Sequence, residues 1–379
     1  MFFEGKLREA VFVERPNRFV IRVRLEERET NAYLPNPGRL HELLLPGARL
    51  ILEESRGDGR KHSLTAVGVY RDSHPIMLHT GKTNDVVAHL VEEGLLPGLE
   101  GWRVKRREVT VGKSRFDLLI ERTGEEMLLE VKSCTLFGGD VAMFPDAVTE
   151  RGRRHLEELG AIAGETRVGV VFLIQWPFAR HFLPDVHTDL LFSQTFFRLR
   201  EKIDYFPVRV SWDGEMNLQG KPEPVSIPWE ALEKHLEDRG AYLLVISLDE
   251  EKSITVGSLG TVRFPPGFYV YVGSAKKNLS ARLNRHKRRR KKFRWHADYL
   301  LREGTIVGAL PVRSPRDLEC RIAADVRRIS EGEIPNFGSS DCSCPSHLFS
   351  FPENPLHQRA FHEVLEKYRM GEMVKNAGG

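Results

Sequence analysis

Apolar residues recur at every second position along several short stretches of the first eighty or so residues. LREAVFVE, RFVIRVRLE and ETNAYLP carry this period, and Arg15-Pro16-Asn17 and Pro35-Asn36-Pro37-Gly38 interrupt it with turn-forming residues. GARLILEE and SLTAVGVYR continue the pattern. Five or so short strands in this span predict a small β-barrel, OB-like as first choice, with sandwich packings as the alternative. After Gly81 the period changes. DVVAHLVEEG predicts a helix capped near Asn84 or Asp85 and closed by Gly94. Strand-like EVTV, RFDLLIE and EMLLEVKS follow, then a helix at TERGRRHLEELG and the apolar run VGVVFLI (168–174), which suits a buried strand.

Residues 219–228, QGKPEPVSIP, hold three prolines and read as a linker. Beyond them AYLLVISL, GFYVYVGSA, an arginine-rich helix, WHADYLL and DLECRIAADVRRI form a second α/β pattern, and HQRAFHEVLEKYRM predicts a last helix. The expected organisation is a multidomain α/β chain: a barrel at 1–82, an α/β core at 83–218, a linker at 219–238, a second α/β domain at 239–350 and a helical tail at 351–379.

Composition adds three exclusions. With 41% hydrophobic and 29% charged residues over 379 positions, the chain is globular and long enough for two or three cores. Charges at Glu4, Lys6, Arg8 and Glu9 break any signal-peptide core, and no run nears the roughly 18 apolar residues that span a bilayer, so no membrane partner is expected. Four cysteines do not make a disulfide scaffold, and a reducing cytoplasm is the expected location. The net charge of +4 is uninformative, but its distribution is not: Lys276–Arg294 holds eleven Lys or Arg in nineteen residues, with no Asp or Glu. Oligomeric state leaves no mark on the sequence.

Candidate chemistry concentrates first at Asp117, Glu130 and Lys132. Strand residues two apart share a face, so Glu130 and Lys132 point one way while Leu129 and Val131 point into a core. A short turn returns the strand carrying Asp117 to the side of Glu130. Two converging carboxylates suit Mg²⁺, and Lys132 would orient or help deprotonate an attacking water; a sheet salt bridge is the alternative. Arg151 and His155, four apart, share a helix face and offer phosphate contacts.

The segments LPNPGRL (34–40), SRFDLLIE (114–121), EVKSCTL (130–136) and AMFPDAVTERGRRHLEEL (142–159) strongly resemble the sugar fermentation stimulation protein A family over roughly residues 1–215. That family is similar in its second half to PD-(D/E)XK nucleases, preceded by an OB-like domain. The resemblance implies that Asp117 and Glu130 bind the metal, Mg²⁺ or Mn²⁺ in its place, that Lys132 is catalytic, and that a helix acid, Glu92 or Glu93, completes the site. The implied activity is phosphodiester hydrolysis of DNA, single- or double-stranded, with RNA as a further candidate. The family name carries a rival: a non-catalytic DNA-binding regulator of sugar-utilisation genes.

Arg15, Arg18, Arg22 and Arg24 intersperse with Phe12, Phe19 and Tyr33 on the barrel, a combination suited to a single-stranded nucleic-acid groove, with Arg39 and Asn36 in the Pro-Gly loop as added contacts. In the C-terminal domain, Tyr242, Tyr271, Arg282, His286 and Glu319 fit a second nuclease logic of proton relay, charge offset and one metal-binding carboxylate. GFYVYVGSA, LSARLNRHKRRRKKFRWHADYLL and FGSSDCSCPSHLF resemble a GIY-YIG-related domain, which implies the same five residues. The triplets depart from the usual pattern, being Gly-Ala-Tyr and Tyr-Val-Gly with 28 residues between them. The basic run at Lys287, Arg288, Arg289 and Arg290 is expected along a phosphate backbone. Cys342-x-Cys344-x₂-His347 hints at metal, with Cys320 or His296 as a fourth ligand, but its spacing is tighter than zinc sites usually show, and reduced cysteines in a tight loop are the expectation.

Overall fold

A computed structural model describes residues 2–54, 62–112 and 114–375. They form two compact units, one reaching to Asp185 and including Leu191–Trp229, the other built from Val186–Leu190 and the chain from Glu230 onward. Among the described residues no helix is long and apolar enough to cross a membrane.

In the first unit the alternating segments become β1 (Leu7–Asn17), β2 (Val20–Leu25), β3 (Arg28–Tyr33), β4 (Arg49–Glu54) and β5 (Leu64–Arg71). β1 pairs antiparallel with β2 and β4, β2 with β3 and β4 with β5, and a parallel Tyr33–Thr65 pairing joins β3 to β5 and closes the barrel. β2 shows how sequence period becomes barrel wall: Ile21 and Val23 are fully buried while Arg22 and Arg24 face solvent. β6 (His74–Met77) pairs antiparallel beside β5.

Helix α1 (Thr80–Glu92) begins a turn before the expected cap at Asn84 or Asp85. The Thr80 hydroxyl donates to the Pro35 carbonyl at 2.7 Å, so the Pro-Gly loop anchors the start of the helix in place of a capping side chain. Gly94, at φ +65°, closes it as expected.

The chain continues through β7 (Arg103–Val111), β8 (Ser114–Arg122), β9 (Glu125–Cys134), β10 (Leu136–Gly138), β11 (Val141–Phe144), α2 (Glu150–Ile162), β12 (Arg167–Ile174), β13 (His181–Pro184), α3 (Leu190–Arg198), β14 (Asp204–Trp212) and β15 (Leu218–Pro224). The main sheet runs β15-β14-β12-β9-β8-β7, with β9, β12 and β14 parallel; β10, β11 and β13 form a small second sheet. Val87, Leu90 and Val91 of α1 share one core with Leu118, Leu129 and Val131. Residues 219–224, expected within a linker, belong instead to the edge strand β15. An edge accommodates Pro222 and Pro224 because one side of the strand needs no donors.

Helix α4 (Trp229–Glu233) leads on to the second unit, which contains β16 (Gly240–Leu248), β17 (Lys252–Thr255), β18 (Thr261–Phe264), β19 (Gly267–Ala275), α5 (Leu279–Lys287), α6 (His296–Glu303), β20 (Thr305–Arg313), α7 (Glu319–Ile329), β21 (Gly332–Glu333), β22 (Leu348–Phe351), α8 (Arg359–Glu366) and α9 (Glu372–Val374). The sheet order is β20-β16-β19-β22-β21. The separate hairpin β17–β18 fills the interval between β16 and β19, which accounts for the long spacing between the two triplets. Period-two alternation divides the sheet: Leu243, Val245, Val270 and Val272 pack under α7 and α8, whereas Tyr242 and Tyr271 face α5 and α6. Residues expected as a separate tail are thus part of this core, through Phe361, Val364 and Leu365; positions 376–379 of that tail lie outside the described residues.

Candidate active site

Leu118 on β8 pairs with Leu129 on β9, and Asp117, the residue before Leu118, lies near enough to Glu130 for their charges to interact. Asp117 Oδ2 accepts the Val131 backbone N–H at 2.7 Å, and Oδ1 accepts from Asn84 Nδ2 at 2.7 Å. Burial raises the Asp117 pKa, and the neighbouring Glu130 charge adds to the rise against these two donors and Lys132. Glu130 is only 3% exposed. Burial works against its ionisation, but Lys132 and His155 outweigh it and hold the carboxyl below the ordinary range. Its Oε1 accepts from Lys132 Nζ and lies 2.6 Å from His155 Nδ1, while Oε2 is buried with no hydrogen-bond partner. A desolvated oxygen of this kind is expensive unless a cation meets it. Two carboxylates, one with an open oxygen, form a hard oxygen donor set that fits a divalent cation such as Mg²⁺.

Two expectations change here. His155, expected to offer a phosphate contact, is buried with its Nδ1 against Glu130. Arg151 Nε donates to His155 Nε2 at 3.4 Å, which leaves the ring proton on Nδ1 to donate to Glu130. Glu92 accepts the Val104 N–H and Glu93 ends α1, about two helical turns beyond Asn84. The helix therefore contributes an amide, Asn84, to the carboxylate pair, and neither glutamate. A polar residue at an expected helix cap reads as a cap, and Asn84 escaped notice for that reason.

A cleft of about 260 Å³ opens beside these groups, lined by Lys132, Asn84, Arg18, Asn36 and Thr149 among others. One wall is the Pro-Gly loop, which docks on Asp146: the Leu40 N–H donates to Asp146 Oδ2 at 3.3 Å, and a Cβ on Gly38 would overlap the same carboxylate. Burial, with Glu42 nearby, pushes the Asp146 pKa up to about 6. A carboxyl raised above its unfolded value takes stability from the fold as pH climbs from about 4 through about 6, and the loss is constant above that. Asp146→Asn keeps one acceptor and never ionises. It is expected to melt above the wild type at about pH 8, by up to about 3 kcal/mol, with the gap closing near pH 4; an equal gap at both pH values in thermal melts would sink the idea.

On the barrel, Arg15 donates to four carbonyls, those of Arg18, Asn36, Gly38 and Arg39, at 2.7–3.2 Å. Expected at a nucleic-acid contact, its guanidinium is here engaged with the loop carbonyls. Arg18 donates to Pro37 O and borders the cleft. Arg22, Arg24 and Arg39 are exposed, and Arg22 pairs with the exposed Glu14, a pair of little strength. Phe19 and Tyr33 remain 44% and 40% exposed, available for stacking, whereas Phe12 is core.

In the second unit Tyr242 Oη lies 2.9 Å from His286 Nε2, and both side chains are buried, as is Tyr271. Gly273 permits this packing, because a Cβ there would come 2.6 Å from the Tyr242 ring. Burial raises both tyrosine pKa values, and it lowers that of His286 against the pull of Asp298. Arg282 and Arg285 lie at 4.0 and 4.3 Å from the Trp295 ring. Glu319 is engaged by Ser274 and His347. Lys287, Arg288, Arg289 and Arg290 are exposed where α5 ends.

Comparison with known proteins agrees with this division. Residues 13–78 match the SfsA N-terminal OB domain, 81–216 the sugar fermentation stimulation protein RE domain, and 241–370 a domain of unknown function, DUF123. A sugar fermentation stimulation protein homolog of Methanothermobacter thermautotrophicus is 36% identical over 235 residues, 57% of this chain and 98% of the relative. One from Chloroflexus aurantiacus is 37% identical over 226 residues, 59% of this chain and 87% of the relative. The structure of Pyrococcus furiosus SfsA in complex with Ca²⁺ superposes with a TM-score of 0.53 at 30% identity, covering 59% of this chain and 97% of that one.

Proposed function

This chain belongs to the sugar fermentation stimulation protein family, and on that premise we propose that it is a divalent-cation-dependent nuclease acting at Asp117, Glu130 and Lys132 on DNA, with RNA as a second substrate. The observation that carries the reading is the buried, partnerless Oε2 of Glu130 beside the second desolvated carboxylate of Asp117. That a 30%-identical relative was solved with Ca²⁺ supports a divalent cation here. Mg²⁺ is the proposed ion, since one or two carboxylates plus phosphate and water are its usual company.

Bound there, Mg²⁺ would supply positive charge to the phosphate oxygens and acidify a water. The chain's own residues do the rest. Asn84 and the Val131 N–H fix the Asp117 carboxylate, and His155 fixes Glu130. Lys132, 19% exposed and lining the cleft, holds an ammonium where a phosphate or attacking water would sit. Arg18, Arg22, Arg24 and Arg39 track the strand while Phe19 and Tyr33 stack on its bases. In the second unit we propose backbone binding through Lys287–Arg290 in place of cleavage, because Tyr242 and Tyr271 are buried while the four basic side chains are exposed. Four unpaired cysteines support a cytoplasmic location.

The deciding assay incubates labelled single- and double-stranded DNA and RNA with the full chain in Mg²⁺ or in EDTA. Product only with Mg²⁺ is expected. Salt-sensitive binding without product in either buffer would leave the non-catalytic regulator as the function. In binding titrations at several salt concentrations, Arg22→Glu with Arg24→Glu is expected to weaken single-strand binding and lower the salt slope by about 1.4. An unchanged slope would remove this face of the barrel from the interface.

A further inference from the structure

The second unit gathers a set of side chains that the tyrosine cluster does not use. Cys320 stands in the first turn of α7, Cys342 and Cys344 in the loop preceding β22, and His347 directly before its first residue, Leu348. One donor atom from each lies within 4.8 Å of all the others. His347 Nε2 is 3.5 Å from Cys342 Sγ and 4.0 Å from Cys320 Sγ. A tetrahedron with metal–sulfur bonds of about 2.3 Å has edges of about 3.8 Å, so this spacing is that of four ligands around one ion.

The orientation of the histidine is independent of that spacing. His347 is 1% exposed, and its backbone is pinned by Phe337 O and the Val272 N–H. Its Nδ1 lies 3.1 Å from Glu319 Oε1. A carboxylate only accepts, so Nδ1 carries the ring proton and the Nε2 lone pair points at the sulfurs. Imidazoles that bind metal characteristically carry such a carboxylate on their far nitrogen. Glu319 is itself held by the Ser274 hydroxyl, so both its oxygens are engaged.

We propose that Cys320, Cys342, Cys344 and His347 bind one Zn²⁺, with Glu319 as the positioning residue that sets the His347 tautomer. Soft thiolates with one imidazole select zinc over the hard cation proposed for Asp117 and Glu130. Four protein ligands leave no open position, which makes the ion structural. It ties α7 to the loop containing Gly338, where a Cβ would come 2.8 Å from Tyr271; the zinc therefore holds the wall of the tyrosine cluster. The site stands whether or not the first unit cuts nucleic acid.

The test uses the full chain as purified. One zinc per chain is expected by elemental analysis, released by a mercurial thiol reagent. After exchange, Co²⁺ should give thiolate charge-transfer bands and the intense d–d bands of a tetrahedral ion. A cation at Asp117 and Glu130 has no sulfur ligand and contributes no such band. Cys342→Ser with Cys344→Ser should abolish the bands. Glu319→Gln, which keeps the fold's contacts closest to native, should retain them with affinity reduced about 10–100-fold. Wild-type protein that gives no thiolate–cobalt bands, or whose cysteines are paired as disulfides when titrated in denaturant, would overturn the proposal. So would zinc retained at full stoichiometry by the double serine variant, or a Glu319→Gln affinity equal to wild type.

Discussion

Lys132→Ala is expected to lower Mg²⁺-supported phosphodiester cleavage by about 10²–10⁴-fold while substrate binding changes little. The ammonium is paired with Glu130 Oε1 at the mouth of the cleft, so its removal takes away the charge nearest the proposed reacting phosphate and leaves the strand-tracking face untouched. A structural salt bridge at this position would give a different pattern, and Asp117→Asn separates the two. If Asp117 and Glu130 exist to hold a cation, they repel each other without it. Neutralising Asp117 then removes both its burial cost and that repulsion, so the variant should melt in EDTA at or above the wild type, by on the order of 1 kcal/mol. Wild-type protein should gain stability on adding Mg²⁺, by about 2.7 kcal/mol at a hundredfold excess over the dissociation constant, and Asp117→Asn should gain almost none. A lower melting point for Asp117→Asn in EDTA, with cleavage by Lys132→Ala at the wild-type rate, would return the cluster to a sheet salt bridge.

The largest expected loss of stability lies in the second unit, at Arg313→Met. The Arg313 side chain is 6% exposed. Its guanidinium donates to the carbonyls of Val186 and His187 at 2.8 and 2.7 Å, to Ser280 Oγ at 2.9 Å, and to Asp238 Oδ1 at 3.1 and 3.3 Å. Asp238 in turn accepts the Ser280 N–H at the start of α5. Methionine fills the space but takes the guanidinium donors from the two carbonyls and the counter-charge from Asp238, which keeps its Ser280 contacts. Breaking such a buried network by removing one partner costs about 3–5 kcal/mol. Lysine keeps the charge but not the fork, and should recover only part of the loss. A chain with two units does not unfold in one step, so the readout is hydrogen exchange in α5 and β20. Protection there equal to wild type would show that the network carries little of the unit's stability.

Features set by a repeat of two or by one turn were open to reading. The shared face of Glu130 and Lys132, the return of Asp117 across the β8–β9 hairpin and the split of Arg22 and Arg24 from Ile21 and Val23 all follow from local geometry. What stayed hidden depends on packing across the chain. Helical spacing placed Arg151 and His155 on one face of α2, but only the docking of that face on β9 turns His155 toward Glu130. A helix acid was expected by resemblance, and Asn84 stands nearest because the Pro35 carbonyl starts α1 a turn early. Three prolines marked 219–228 as a linker, although two of them, Pro222 and Pro224, stand in an edge strand that tolerates them. The cysteine group was legible only as a hint, with Cys320 or His296 open as the fourth member: Cys342-x-Cys344 is tight by itself, and only the fold brings Cys320 on α7 to it from the other side of β21.

The second unit begins with Val186–Leu190, leaves the chain to the first unit for Leu191–Trp229, and resumes at Glu230. In polymer terms residues 191–229 are a loop whose two ends are both fastened, and the Arg313 contacts to Val186 and His187 are one of the fasteners. A single scission after Trp229 would therefore not free the second unit intact. The fragment from Glu230 onward would depart without two of the carbonyls that its buried arginine donates to, and the piece left behind would keep them.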